Sequence, residues 1–276
     1  MMIDQRTALY GVMGKPIGHS LSPVMHNAAF SATGMNAVYL AFEPEDSDGC
    51  LRGMRALGIR GMSVTIPFKS AVIPYLDDLD PLAEKIGAVN TIVNDKGRLV
   101  GFNTDALAAV QSLEERIALP GTTCLIFGAG GAARAIGFAL REKGVAVSVA
   151  NRSLERGKEL ARDLKCPYVP LDKTRGSKAD LIIQTTPVGM YPHVDRCCVP
   201  EHILEPGTVV MDIIYNPLET TLLRIAQARN CVTVTGLDMF IYQGAEQFKL
   251  WTGNNPPVAV MTSAVKQALQ EQHEGD

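Results

Sequence analysis

Strand-like and helix-like apolar patterns alternate along the whole chain, and nothing repeats at a solenoid period. LYGVMG (9–14) reads as a strand, followed by a helix over 23–32 closed by Gly34 and a second strand over 36–42. GMSVTI (61–66) is a third strand, ended by Pro67. Residues 91–101 fold back as a hairpin around Asp95, Lys96 and Gly97. A helical pattern then runs from Thr104 to about Ile117 and breaks at Pro120-Gly121. Strands near 123–127, 145–150, 180–184, 208–214 and 232–235 predict a second α/β unit. Two helices follow, over 238–252 and 257–272; on pattern alone they either cover the second sheet or return to the first unit.

The turn after Phe127 carries the most chemistry. In LIFGAGGAARA (125–135) a buried strand breaks into glycines and then into a helix over 132–143, with Gly144 at its end. Strand, glycine turn and helix in that order present unpaired N–H groups and a helix dipole to a pyrophosphate. Gly128 permits the tight turn, Gly130 lets phosphates approach the backbone, and Ala133 keeps the helix close to the sheet. The next strand ends in Asn151, Arg152 and, one helical turn on, Arg156, where an NAD site would carry an acid for the free ribose hydroxyl. Two guanidiniums suit a 2′-phosphate, so NADP is expected over NAD. The plainer alternative makes both arginines solvated first-turn residues.

Composition narrows the partners. A length of 276 residues suits two domains, and a net charge of −3 gives no basic footprint for nucleic acid. No apolar run is long enough for a membrane helix, and the start lacks a basic and then apolar leader pattern, so a cytoplasmic location is expected. Cys50, Cys124, Cys166, Cys197, Cys198 and Cys231 lack CxxC spacing, and His19, His26, His193, His202 and His273 show no ligand pairing. No metal is expected. The sequence does not fix the oligomeric state; a homodimer is compatible with it.

Further candidates lie in the first unit. In KPIGHSLSPVMHN (15–27) Ser20 and Ser22 sit two apart, and Ser22-Pro23 is a good helix start with serine as N-cap. Two hydroxyls at a helix N-terminus suit a carboxylate; a serine that merely caps its helix is the simpler reading. In SVTIPFK (63–69), Ser63 and Thr65 share one strand face, and Lys69 follows at the strand's mouth. Closing the hairpin sets Asn90 across from Phe102, beside the GFNTD run and Asp105. Thr65, Lys69, Asn90 and Asp105 would together offer an ammonium, a carboxylate and neutral partners to a polyhydroxylated substrate. Asp105 alone would be an ordinary first-turn acid.

SLSPxxHN, SVTIPFK, GAVNTIV, GFNTDA, GAGGAAR, NRS, TTPVGM, IIYNPLETTLL and FIYQGAEQF, in this order and over nearly the whole chain, resemble the shikimate dehydrogenase family. The resemblance implies a two-domain α/β fold. A substrate-binding catalytic domain would span 1–104, completed by helices of 240–276, and a Rossmann-like, doubly wound parallel-sheet NADP domain would span 105–239. It implies NADPH-dependent reduction of 3-dehydroshikimate to shikimate on the way to chorismate and aromatic amino acids. Lys69 and Asp105 match the catalytic pair. Ser20 and Ser22, with Tyr215, would hold the substrate carboxylate, and Thr65, Asn90 and Gln243 the ring hydroxyls. Gly128, Gly130, Gly131 and Ala132 would line the pyrophosphate, with Asn151, Arg152 and Arg156 around the adenosine phosphate. Thr186, Met190, Gly236 and Met239 would lie towards the nicotinamide.

Gln184 stands where the family commonly has asparagine, and HVDRCCVP (193–200) matches no family pattern. Two alternatives carry less. A quinate/shikimate enzyme with relaxed substrate or NAD use would require changes around Ser20 and Ser22 and at the arginines. A non-catalytic NADP-sensing regulator has no need of both Lys69 and Asp105.

Overall fold

The computed structural model describes residues 3–174 and 178–274. The chain divides into two compact units, one running to Thr104 and resuming at Ile241, the other spanning Asp105–Phe240. The first holds β1 (Ala8–Met13), α1 (Ser22–Ala32), β2 (Ala37–Phe42), α2 (Ser47–Ala56), β3 (Gly61–Val64), β4 (Asp78–Leu79), α3 (Pro81–Ile86), β5 (Thr91–Asp95) and β6 (Arg98–Phe102). From α4 (Thr104–Glu114) onward come β7 (Thr123–Phe127), α5 (Gly131–Glu142), β8 (Ala146–Ala150), α6 (Leu154–Asp163) and β9 (Tyr168–Val169). They are followed by β10 (Leu181–Gln184), β11 (Val209–Asp212), α7 (Thr221–Ala228), β12 (Val232–Val234), α8 (Gly236–Thr252) and α9 (Val258–Glu274). No helix among the described residues is long and apolar enough to cross a membrane.

The first sheet has the order β2-β1-β3-β5-β6-β4. Its strand β1 is parallel to β2 and β3, whereas β5 is antiparallel to β3 and β6. Apolar residues on both faces of β1 explain why both are covered. Met13 joins Leu51 and Met54 of α2, Met62 and Ile92 in one core. Tyr10, on the opposite face, lies 5.0 Å from the Phe30 ring of α1 and 5.6 Å from Trp251 of α8.

The second sheet, β12-β11-β10-β7-β8-β9, pairs all its strands in parallel. The chain enters at β7, moves outward through β8 and β9, then returns to the other side of β7 with β10. That reversal is the switch point of a doubly wound α/β sheet, outside whose carboxyl strand ends ligands bind. The sheet is the Rossmann-like one expected.

Two local expectations are corrected, and one helix is added. Ser22 does not cap α1; Leu21 holds the N-cap position with no side-chain bond, and Ser22 is the first helical residue. The Ser22 side chain is buried instead, near the Tyr39 phenol. β3 stops at Val64: the Thr65 N–H makes the last bond to β1, at the Met13 carbonyl (3.0 Å), and the Thr65 carbonyl then accepts from the Phe68 N–H (2.9 Å) in a turn. α2, invisible as an apolar stripe because Gly49 and Gly53 interrupt it, starts from Asp46, whose carboxylate accepts from the Gly49 N–H at 2.7 Å.

A buried polar hub ties α8 to this first sheet. Gln247 is 1% exposed and uses its entire amide. Its Oε1 accepts from Ser63 Oγ (2.8 Å) and His26 Nε2 (3.3 Å). Its Nε2 donates to the Asn90 carbonyl (3.2 Å) and to Thr91 Oγ1 (3.0 Å). Ser63 in turn accepts from the Tyr39 hydroxyl at 2.6 Å. His26 is fully buried and stacked on Tyr39 at 4.5 Å; burial pushes its pKa down to about 3, so the ring is neutral. The unfolded chain takes up a proton near the ordinary value of 6.5 that the folded chain refuses, so this group's contribution to stability declines as pH falls from there.

Replacing Gln247 with Met keeps the volume but strands several buried partners, and should cost roughly 3 kcal/mol in urea denaturation, since each orphaned group costs about 1–3. A loss within about 0.5 kcal/mol, the range of ordinary surface substitutions, would show the hub to be dispensable. Acidification from about pH 7 to about pH 5 should lower the denaturation midpoint of the natural chain more than that of His26→Phe. Equal shifts would contradict the neutral, buried imidazole.

Candidate functional site

In the first unit, the hub sets out Asn90. Its Oδ1 accepts from Thr91 Oγ1 (2.8 Å) and the Thr104 N–H (2.7 Å), while Nδ2 donates to Thr104 Oγ1 (2.9 Å). The amide is therefore fixed in orientation as well as place. Backbone bonds gather other residues around it. The Val64 N–H donates to the Asn90 carbonyl (2.8 Å), the Val89 N–H to the Lys69 carbonyl (2.7 Å), and the Asn90 N–H to the Phe102 carbonyl (3.1 Å). Thr65, Lys69 and Asn90 thus stand together where β3 ends and β5 begins. Thr65 and Lys69 are half-buried.

The loop carrying the two serines reaches the same edge. Gly14 packs so closely that a Cβ there would stand 2.5 Å from the Thr65 methyl, and the Lys15 N–H donates to the Ile66 carbonyl at 3.0 Å. Ser20 Oγ accepts from the Ser22 N–H at 3.3 Å. Ser22 is buried near Tyr39, whose phenol pKa is pushed up by burial and drawn back in part by the neighbouring Ser63 and Ser22 hydroxyls. Gln243 lies one helical turn before Gln247 on the same face of α8, half-buried. Sequence reading missed Gln247, Tyr39 and Ser63. Only the four-residue spacing of Gln243 and Gln247 in FIYQGAEQF could have pointed to the first.

In the second unit, Asp105 is buried in the first turn of α4, directly after the anchored Thr104. Gly128 has φ +123°, and a Cβ there would collide with Thr185 Oγ1. Gly130 forms the N-cap of α5 without a side-chain cap, and nothing lies within 4 Å of where its Cβ would be. Gly131 and Ala132 open the helix, which has no acid in its first turn. The N–H groups of the first turn and the open space at Gly130 fit a pyrophosphate.

After β8, the Asn151 side chain donates to the Ser153 carbonyl (2.9 Å), and Ser153 caps α6. Arg152 and Arg156 are exposed, and among the described residues no hydrogen bond or ion pair engages either guanidinium. This fits an adenosine 2′-phosphate. Beyond β10, the Thr186 hydroxyl accepts from the Val188 N–H (3.2 Å) and contacts Cys198 Sγ (3.5 Å), while Met190 is half-buried. Gly236 packs against the backbone of Ile213 and Ile214, where any Cβ would clash. Met239 is buried, and Tyr215 stacks on Phe240 at 4.3 Å. No group of three or more His, Cys, Asp or Glu among the described residues could hold a metal. The His273 side chain lies outside the described residues.

Three family models match successive stretches: the shikimate dehydrogenase substrate binding domain over 12–92, shikimate/quinate 5-dehydrogenase over 109–195, and the shikimate 5′-dehydrogenase C-terminal domain over 236–266. A shikimate dehydrogenase (NADP(+)) of Methanothermobacter thermautotrophicus is 45% identical, the alignment covering 97% of this chain and 99% of that one. One from Moorella thermoacetica is 46% identical over 98% and 96%. The shikimate 5-dehydrogenase of Thermus thermophilus, solved in complex with NADP(H) and shikimate, superposes with a TM-score of 0.88 at 39% identity, covering 95% of this chain and all of the other. Similarity of this extent, across the glycine turn and the Asn90 hub alike, makes the chain a member of the shikimate dehydrogenase family.

Proposed function

We propose that this chain reversibly reduces 3-dehydroshikimate to shikimate with NADPH, as an oxidoreductase of the chorismate and aromatic amino-acid pathway. The carrying observation is end-to-end similarity, at 45% identity, to a relative named shikimate dehydrogenase (NADP(+)). The exposed guanidiniums of Arg152 and Arg156 support NADP over NAD, since each can give a charge-assisted hydrogen bond to a phosphate. A cytoplasmic location is in keeping with six free cysteines, and a net charge of −3 with the absence of nucleic acid among its partners.

NADPH supplies the hydride that reaches the keto carbon. The chain supplies the rest. Lys69, as an ammonium, polarises the carbonyl and gives its proton to the oxygen, so hydride and proton together convert ketone to alcohol. Asp105 acts with it, as the acidic member of the pair. Asn90, Thr65 and Gln243 hold the ring hydroxyls, and the prefixed Asn90 amide binds without first having to be ordered. Ser20 and Ser22, with Tyr215, take the carboxylate. Gly128, Gly130, Gly131 and Ala132 hold the pyrophosphate; Asn151, Arg152 and Arg156 hold the adenosine phosphate. Thr186, Met190, Gly236 and Met239 face the nicotinamide.

Purified chain should reduce NADP in the presence of shikimate, followed by absorbance, with quinate and NAD giving much lower kcat/KM. No turnover with shikimate would overturn the reading. Lys69→Ala should abolish most of kcat while KM for shikimate stays within about threefold, the pattern of an interaction made in the transition state; near-natural turnover would remove Lys69 from the chemistry. Arg152→Ala and Arg156→Ala should each lower the preference for NADP over NAD about tenfold or more, the worth of one charge-assisted bond. An unchanged preference would leave both arginines as solvated helix residues.

A further inference from the structure

Gln184 and Asp212 are the last residues of β10 and β11, paired in register and each 1% exposed. Gln184 Nε2 donates to Asp212 Oδ1 (3.2 Å) and to the Val188 carbonyl (3.1 Å), while its Oε1 accepts from the Thr186 N–H. One amide thereby clamps both ends of the turn 185–188. Asp212 does the same for the next loop. Its carboxylate accepts from the Ile214 N–H (3.1 Å) and from Thr220 Oγ1 (2.8 Å), and Thr220 itself caps α7 by accepting from the Leu223 N–H at 3.3 Å. Farther out, the Tyr191 N–H joins the two loops again by donating to the Asn216 carbonyl at 3.1 Å.

This clamp has an address in the sheet. A dinucleotide lies across the strand reversal, and the residues suited to the adenosine phosphate follow β8, on one side of β7. The loops after β10 and β11 lie on the other side, where the nicotinamide half belongs. A buried acid is a costly way to join two loops, since burial pushes the Asp212 pKa up to about 6. Its presence marks a functional position.

We propose that Gln184 and Asp212 are positioning residues for the nicotinamide half of NADPH: the carboxylate, acting through the Gln184 amide, holds the two loops in the one arrangement that receives it. The proposal rests on the NADP reading above. It makes the glutamine meaningful, because in this chain its longer amide reaches from the β10 end to both Val188 and Asp212. Neither residue touches the reacting atoms.

The test compares two probes on the intact chain: NADPH, and 2′-phospho-ADP-ribose, which lacks only the nicotinamide. In Asp212→Asn and Gln184→Leu the NADPH Kd, from nicotinamide fluorescence, should rise about tenfold or more, as expected for loss of a charged hydrogen bond. The Kd for 2′-phospho-ADP-ribose, from calorimetry, should stay within about twofold, because the β8 side is untouched. Should Asp212→Asn fail to fold, Gln184→Leu carries the comparison alone. Unchanged NADPH affinity, or parallel weakening towards both probes, would overturn the positioning role. A natural chain that binds neither probe would overturn the NADP reading itself.

Discussion

The first unit depends on satisfying one buried amide. Gln247 comes from α8, and its four partners come from α1, β3 and the start of β5. A side chain with two donors and one doubly used acceptor, all buried, permits one orientation and little else. That demand fixes α8 on the sheet and hands the order on to Asn90, whose own amide is locked by Thr91 and Thr104. Specific polar geometry of this kind gives less net stability than an apolar core would. It gives uniqueness instead, and an Asn90 amide whose orientation is fixed in advance.

The second unit solves a different problem with backbone. A Rossmann-like turn needs a sharp bend and room at the helix start; Gly128 makes the bend with φ +123°, and Gly130 leaves the room. Its side-chain chemistry sits on the loops at the carboxyl ends of the strands. On the β8 side the guanidiniums are left exposed; on the β10 and β11 side Gln184, Asp212 and Thr220 are tied to one another and to the loops they carry. The contrast is physical. A phosphate can be met by long, mobile cations, whereas a planar ring has to be met by a surface already in place.

Much of this was legible from local pattern. The hairpin closure that sets Asn90 opposite Phe102 follows from turn residues and alternation, and the strand–glycine–helix order places the phosphate turn without any tertiary information. What was not legible is non-local. Gln247 and Asn90 are 157 positions apart, and no periodicity joins a helix near one end of a chain to a strand near the other. The same contacts decide where α8 goes, a question that pattern alone left open. Ser22 looked like a cap because serine before proline usually is one. Its side chain is buried instead, near the Tyr39 phenol of another element. Asp212 reads in sequence as an ordinary acid in VVMDIIYNP, and only its register opposite Gln184 discloses its task.

Whether Lys69 and Asp105 act on one oxygen of a substrate oriented by Asn90 is tested most directly by a crystal structure of this chain with shikimate and NADP+ bound. The expected result is the Lys69 amine and the Asp105 carboxylate both within hydrogen-bonding distance of the hydroxyl to be oxidised, with the Asn90 amide on the ring. A bound shikimate whose reacting hydroxyl meets neither group would contradict it.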